Sequence, residues 1–413
     1  MIRIFACSVL ASIGFSFFAD ATENWPAWRG PRGDGSVQEA ERLVTRLDLE
    51  KGLLWKTALP GVGHASPVVW EDRIFTVTAD EESQARSLVC LDRSNGKVLW
   101  DRVVLTSPFE GIHRLNSHAS STPATDGERV FVSFLDRDRM FIAAYDLDGK
   151  ELWKVRPGVF ASKHGYCSNP VLWNGKVVVN GDHDGEAYLV ALDQKTGDPV
   201  WKTERPNKTR SYCTPIIREI DGRTQMILSG SLSVASYDPD TGEQHWVIDG
   251  PTEQFVASLV YNEELELLFM TCGFPQKHML AIRPHGSGNV TKTHVAWRDT
   301  AGASYVPSPI AMGDYFLVVA DNGVASCFVA ETGERHWRER LPGGHSASII
   351  SANGLAYFFS DEGALSVLKP GPEFTVLEQS ELGEKVSASP AVYDHHLYVR
   401  GHEHLYAFSP AGE

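Results

Sequence analysis

No run of lysine or arginine occurs in this chain, whose 38 basic side chains are outnumbered by 53 acidic ones for a formal charge of −15 over 413 residues. Phosphate backbones are bound by clustered positive charge, so a nucleic-acid partner is not expected. A membrane-spanning run is missing too. The apolar stretch from Ile4 to Phe18 is about 15 residues, where a membrane helix needs about 20. Met1-Ile2-Arg3 precedes it and Ala19-Asp20-Ala21 follows, which is the form of a secretory signal peptide with a small-x-small cleavage site. The expectation is a leader over residues 1–21 and a periplasmic or secreted protein with no transmembrane segment after its removal. Cys7 lies inside the apolar run rather than after it, so no lipoprotein anchor is expected.

Cysteine is scarce, and its number argues against a disulfide framework. Six are present; without Cys7 five remain, Cys90, Cys167, Cys213, Cys272 and Cys327, and an odd count leaves at least one thiol unpaired within a monomer. All five sit in or beside strand-like runs, where a thiol behaves as a small apolar side chain. A Cys167–Cys213 bond is the alternative, because the two occupy similar places in successive repeats. Enzyme signatures are absent as well. The sequence contains no Gly-x-Ser-x-Gly, phosphate loop or His-Glu-x-x-His,. Asp136-Arg137-Asp138 lacks the rest of a calcium loop,. Long helical periodicity is also missing.

What is present is a repeated sentence: a short apolar run, an Asp-x-x-Thr-Gly turn, and a tryptophan closing the next run. Leu189-Val190-Ala191-Leu192-Asp193 leads through Thr196-Gly197 to Trp201, and the pattern recurs around Asp92 and Gly96, Asp146 and Gly149, Asp238 and Gly242, and Glu331 and Gly333. The closing tryptophans are Trp55, Trp100, Trp153, Trp201, Trp246, Trp297 and Trp337, spaced by roughly 40 to 53 residues, a propeller-blade period. Blade starts fall at Ser66-Pro67, Thr122-Pro123, Asn169-Pro170, Thr214-Pro215, Ala257-Ser258, Ser308-Pro309, Ala347-Ser348 and Ser389-Pro390. Runs of four to eight Val/Ile/Phe/Tyr-rich residues between Gly, Asp and Asn turns are strands. The fold expected is all-β: an eight-bladed β-propeller of four-stranded antiparallel blades over residues 52–413. The eighth blade lacks its tryptophan strand, and Gly52-Leu53-Leu54-Trp55 is a spare one; an N-terminal strand closing the last blade removes open sheet edges. Residues 22–51, with Trp25 and Trp28, read as a strap packed on the ring. Blade seven departs from the pattern, with Lys369-Pro370-Gly371-Pro372 for the turn and no tryptophan after it; blade five has an enlarged turn, Arg283 to Asn289. The seven tryptophans read as structural docking residues, since large aromatics supply the apolar area blades need between them.

The Ala-Leu-Asp-x-x-Thr-Gly-x-x-x-Trp sentence resembles the tryptophan-docking motif of the quinoprotein (PQQ-dependent) alcohol dehydrogenases, and equally that of their cofactor-free relatives such as the assembly lipoprotein BamB. The leader Trp25-Pro26-x-Trp28-Arg29-Gly30-Pro31 resembles exported PQQ-like propeller proteins of planctomycete type. The resemblance covers essentially the whole mature chain and implies the fold; it does not by itself fix chemistry. The chain departs from the quinoprotein enzymes in having no adjacent cysteine pair and no Cys-x-x-Cys-His haem motif.

Unusual polar residues fall on loops expected at one mouth of the channel, where propellers bind ligands. Loops leading into the first strands carry His64, His118, Lys163, His164, Arg210 and His345, the ligand-face candidates. Loops between second and third strands carry Asp182-His183-Asp184 and His402-x-His404, the densest candidates for a metal because imidazole and carboxylate are ligating groups; the competing reading is solvated loop residues. The function expected is a non-catalytic binding or scaffold module taking a protein partner or small ligand at this face, with no cofactor. A PQQ-dependent oxidoreductase, with calcium beside the quinone, is the alternative. Cleavage after Ala21 makes Thr22 the mature N-terminus: intact mass of protein exported to a bacterial periplasm checks it, and a retained leader overturns it.

Overall fold

The computed structural model describes residues 23–37 and 42–410; the expected leader lies outside them. Among the described residues there is no α-helix. Eight antiparallel sheets are each built of four successive blade strands, arranged as an eight-bladed β-propeller. Blade one shows the plan: Val68–Trp70 lines the channel, Arg73–Asp80 and Ala85–Asp92 follow, and Val98–Thr106 is outermost. The middle strands are buried almost throughout, while the outer strand alternates, as it must when one face meets a neighbour and the other meets water,. In blade eight Leu53–Ala58 pairs with His404–Phe408, so the N-terminal strand closes the ring as expected.

Two sets of contacts join successive blades, each at six of the eight junctions. At the periphery the indole N–H of one blade donates to a carbonyl in the outer turn of the following blade: Trp55 to Arg93, Trp100 to Leu147, Trp153 to Gln194, Trp201 to Pro239, Trp297 to Ala330 and Trp337 to Gly371, at 2.8–3.1 Å. In five of these turns, all but that facing Trp337, a glycine lies against the same indole. Gly197 has φ +75, and a Cβ placed there would sit 2.7 Å from Trp153 Cε3. Burying one indole is worth on the order of 5 kcal/mol, so the docking is a large part of each blade junction. Near the channel, the residue that opens a blade accepts from its predecessor's backbone at six of the eight junctions. Ser66 N donates to Thr122 Oγ1, Thr122 N to Asn169 Oδ1, Thr214 N to Ser258 Oγ, Ser258 N to Ser308 Oγ, Ser308 N to Ser348 Oγ and Ser348 N to Ser389 Oγ, at 2.6–3.0 Å. Where asparagine opens blade three, its amide also donates to Thr214 Oγ1.

Both departures seen in the sequence have local repairs. Trp246 faces the enlarged turn of blade five; its N–H goes instead to Gln225 Oε1, and Gln225 Nε2 donates to Pro284 O in that turn. Gly288–Asn289 then pairs in parallel along Trp246 and Val247, burying the indole completely. In blade seven Glu378 stands opposite Val367, the register at which Trp153 faces Ala144 in blade two. The N-terminal arm fills the gap: Val44 and Leu47 are buried in the core of blades seven and eight, Arg46 pairs with Glu378 at 3.2 Å, and Leu47 N donates to Ser380 Oγ.

Residues 23–37 cross the end of the channel where the inner strands turn back. Trp25 exchanges two backbone bonds with Val69 of blade one, and Thr125 N of blade two donates to Pro26 O. Buried Arg29 donates to Pro309 O and Ile349 O of blades six and seven. Asp34 meets Arg218 of blade four at 3.0 Å, and Ser36–Val37 pairs in parallel with Ser351 and Ala352. The segment therefore spans the ring and caps one end of it.

Gly197→Ala is expected to cost roughly 2–4 kcal/mol, combining the left-handed backbone penalty with overpacking against Trp153. Gly175→Ala, at φ +74 with nothing within 4 Å, should cost only about 1 kcal/mol. Urea denaturation of both variants reads the difference; equal costs would remove the docking contact from the explanation.

Candidate functional site

With one end capped, the channel becomes a blind recess opening at the other. Its cavity is about 580 Å³, within the usual range for small-molecule sites. The half-buried Trp28 of the capping segment contributes the floor, with the Arg29 guanidinium 5.7 Å from its ring centroid. The wall at the level of the blade starts includes Ser66, Thr122, Asn169, Thr214, Ser308, Ser348 and Ser389. Above it, loops from blades two to six add His113, Asn116, Tyr212, Gln254, Tyr305 and Asp321.

Four of the six ligand-face candidates line this cavity: His64, Lys163, His164 and Arg210. Lys163 is exposed. His164 meets His113 edge-on with ring centroids 5.6 Å apart; burial, then the neighbouring Arg210, His113 and Lys163 charges, lower its pKa. Arg210 Nη1 pairs with Asp184 at 2.7 Å. Burial, followed by the nearby Arg400 and His402, holds His64 down to about 4, so it stays neutral at pH 7. His118 is not among the lining residues. It stacks on Phe109 at 3.9 Å and its Nε2 bonds Glu110 O; with the buried Arg86–Glu110 ion pair it secures the base of the loop that carries His113 and Asn116. His345 is also elsewhere, buried beneath the loops with its backbone N–H on Asp321 O.

The metal candidates do not converge. Asp182 is fully buried and paired with Arg205 Nε at 2.9 Å, a bond completed by Arg205 to Tyr237 OH and Gly230 O. His183 is buried with Nε2 on Glu186 O, while Asp184 turns outward to Arg210. His404 Nδ1 pairs with Glu384 at 2.9 Å, and His402 lies beside His64 with ring centroids 6.4 Å apart. Among the described residues no group of three or more His, Cys, Asp or Glu is placed to hold a metal ion. The triplet's three side chains serve three different loops, which sequence density does not reveal. All five described cysteines are free thiols; burial pushes Cys167 and Cys213 up to about 12, and Cys167 lines the cavity.

Sequence reasoning missed the floor and much of the wall. Trp28 carried a signal, being a second tryptophan in a proline- and glycine-rich leader, but nothing in its surroundings showed which part of the ring it would meet. The Ser/Thr-Pro starts were visible as punctuation and not as a ring of side chains. Tyr212, Gln254 and Tyr305 carried no signal.

The family pattern described as outer membrane protein assembly factor BamB matches residues 35–110 and 84–260, more than half of the chain. Among curated proteins, a polyvinylalcohol dehydrogenase of Sphingopyxis sp. (strain 113P3) is 24% identical over 274 residues, 55% of this chain and 40% of that one. Quinohemoprotein alcohol dehydrogenase ADH IIB of Pseudomonas putida is 35% identical over 118 residues, 25% of this chain and 16% of that one. The matches thus span less than half the length of either relative. Among solved structures, BamB from Moraxella catarrhalis superposes with a TM-score of 0.60 at 12% identity, covering 87% of this chain and 98% of that one. A europium-containing methanol dehydrogenase gives 0.56 at 12% identity, covering 94% and 98%. At such identities these likenesses show the fold.

His345 generates a pH prediction. Burial lowers its pKa to about 4, below the 6.5 of the unfolded chain, so between these values only the unfolded state binds the proton. The stability it contributes is complete above about pH 6.5 and falls toward pH 4 by about 1.4 kcal/mol per unit. Between pH 7 and pH 5 the wild type should lose roughly 2 kcal/mol more than His345→Gln. Urea unfolding at the two pH values checks this; equal losses overturn it.

Proposed function

This chain belongs to the family of the outer membrane protein assembly factor BamB, and on that premise we propose that it is an exported, non-catalytic binding module that takes a small ligand in the mouth of its ring. The observation that carries the reading is the blind recess of about 580 Å³ floored by Trp28. A through-channel would offer a ligand only a rim, whereas a capped one offers enclosure on all sides but one. Among the described residues no helix is long and apolar enough to cross a membrane.

The alternative is a PQQ-dependent oxidoreductase; both curated relatives are named as dehydrogenases, and one of them as a quinohemoprotein. Calcium takes six to eight oxygen ligands, several of them carboxylate. Asp321 is the sole carboxylate among the residues lining the cavity, and its two oxygens accept the backbone N–H groups of Tyr305 and Val306 at 2.9 and 3.0 Å. Cys167 and Cys213 belong to different blades and are thiols, so nothing resembles a disulfide beside a quinone. The residues present do not fit the quinone–calcium pair, and we assign no catalytic step to them.

Reconstitution of the purified protein with PQQ and calcium separates the two readings. No dye reduction by ethanol or polyvinyl alcohol is expected, whether or not quinone absorbance stays with the protein on gel filtration. Retained absorbance together with dye reduction would overturn the non-catalytic reading.

A further inference from the structure

Resting on the reading of the mouth as a small-ligand site, we propose that its ligand is a small organic oxyanion, a molecule bearing carboxylate or phosphate groups. The reason lies in what the blade-joining ring leaves over. A hydroxyl has one hydrogen to donate and two lone pairs to accept with. Thr122 and Thr214 Oγ1, and Ser308, Ser348 and Ser389 Oγ, each accept a bond from the preceding blade. None of these five donates to a protein group among the described residues, and all five line the cavity. The fold has consumed acceptor capacity at each position and left the hydrogen free to point at a guest.

The loops add to this bias. Lys163 brings an exposed ammonium to the wall beside Arg210, whose Nη1 is held by Asp184, and the imidazoles of His113 and His164 can each donate from a ring nitrogen,. Asp321, the one carboxylate in the lining, has each of its oxygens turned onto a backbone N–H group, of Tyr305 and of Val306. A cavity rich in donors and poor in free acceptors selects a guest with the opposite inventory, and charge-assisted bonds to an oxyanion are the stronger kind. Inorganic phosphate alone would leave most of the volume empty, and the Trp28 floor gives a flat apolar face to the remainder of an organic molecule. The anion preference is local, since the chain as a whole carries −15.

Isothermal titration at low ionic strength with citrate, glucose 6-phosphate and glucose tests this, the last two sharing one body with and without the charge. Citrate or glucose 6-phosphate should bind at least tenfold more tightly than glucose. Which of the two binds better tells carboxylate from phosphate, and either supports the proposal. Lys163→Met, an exposed position outside the blade cores, should weaken that binding at least tenfold. Glu331→Gln, on an outer turn of blade six, should leave it unchanged. Glucose binding as tightly as the anions overturns the oxyanion class while leaving the small-ligand site standing. Failure of all three probes to bind overturns the site with it. Unchanged affinity in Lys163→Met, with Trp28→Ala also unchanged, overturns the placement in the mouth.

Discussion

Five of the eight blade junctions rest on an indole from one blade lying on the glycine turn of the next. The contact joins three requirements in one place: a left-handed residue for the turn, no Cβ where the ring must lie, and a carbonyl aimed at the indole N–H. Only glycine meets the first two without strain, which is why the turn and the tryptophan recur together although some 40 residues separate them. Where one part is lost the others are rebuilt from outside the motif. At blade five a glutamine side chain carries the hydrogen bond to a turn that has moved; at blade seven the arm around Val44 and Leu47 supplies apolar area that a tryptophan would have supplied. That two unrelated repairs occur at the two lapses argues that the junction itself is what the ring requires.

The N-terminal chain does more than close the ring. Its strand Leu53–Ala58 completes blade eight, its arm seals the junction of blades seven and eight, and its first described residues cap the channel. Two buried arginines mark these seams. Arg29 holds the cap to blades six and seven through backbone carbonyls, and Arg400 of blade eight donates to Ala65 O, Thr76 Oγ1 and Val77 O of blade one. Neither forms an ion pair with a carboxylate among the described residues, and burial pulls their pKa values down to about 10 and 9. Oxygens across the seam receive each guanidinium in place of a counter-ion, with the Nε and one terminal nitrogen of each left without a partner among the described residues, so its bonds form only when the parts on both sides are in position. A cation with that dependence fixes ring closure more strictly than apolar packing, which tolerates small slips.

The fold was legible in the sequence because its determinants repeat. Seven tryptophans, eight Ser/Thr/Asn starts and one strand to spare define the number of blades and how the last is closed. The site was legible only in part, and the division has a physical cause. His64, Lys163, His164 and Arg210 stand out as polar residues just before inner strands, and topology alone brings such positions to one mouth. His118 and His345 share that position in the sequence, yet one is turned onto Phe109 and the other beneath the loops, because side-chain direction there is set by contacts between loops from different blades. Asp182-His183-Asp184 misleads for the same reason: density along the chain is not convergence in space, and Asp182 is spent on Arg205. Trp28 is legible as part of a strap but not as the floor of the recess, because a strap has no period from which its landing place can be computed.

The repeated and the irregular parts of the chain first appear to divide the work, with repeats holding the fold and unique loops bearing function. The blade-start hydroxyls weaken that division. Their oxygens join one blade to the next, and the same side chains line the recess that the ring encloses, with a hydrogen left to donate there. A single atom pair thus serves the junction on one side and the cavity on the other. Two consequences follow from sharing. The geometry of the donors is held by the backbone of all the blades rather than by loops, so it is preorganised before any ligand arrives. And a serine at such a position cannot be exchanged for an apolar residue to change the chemistry of the cavity without also loosening a junction. Variation in what the mouth accepts is then confined to residues that carry no junction, the loop side chains such as Lys163 and His164 and the indole of Trp28 below them.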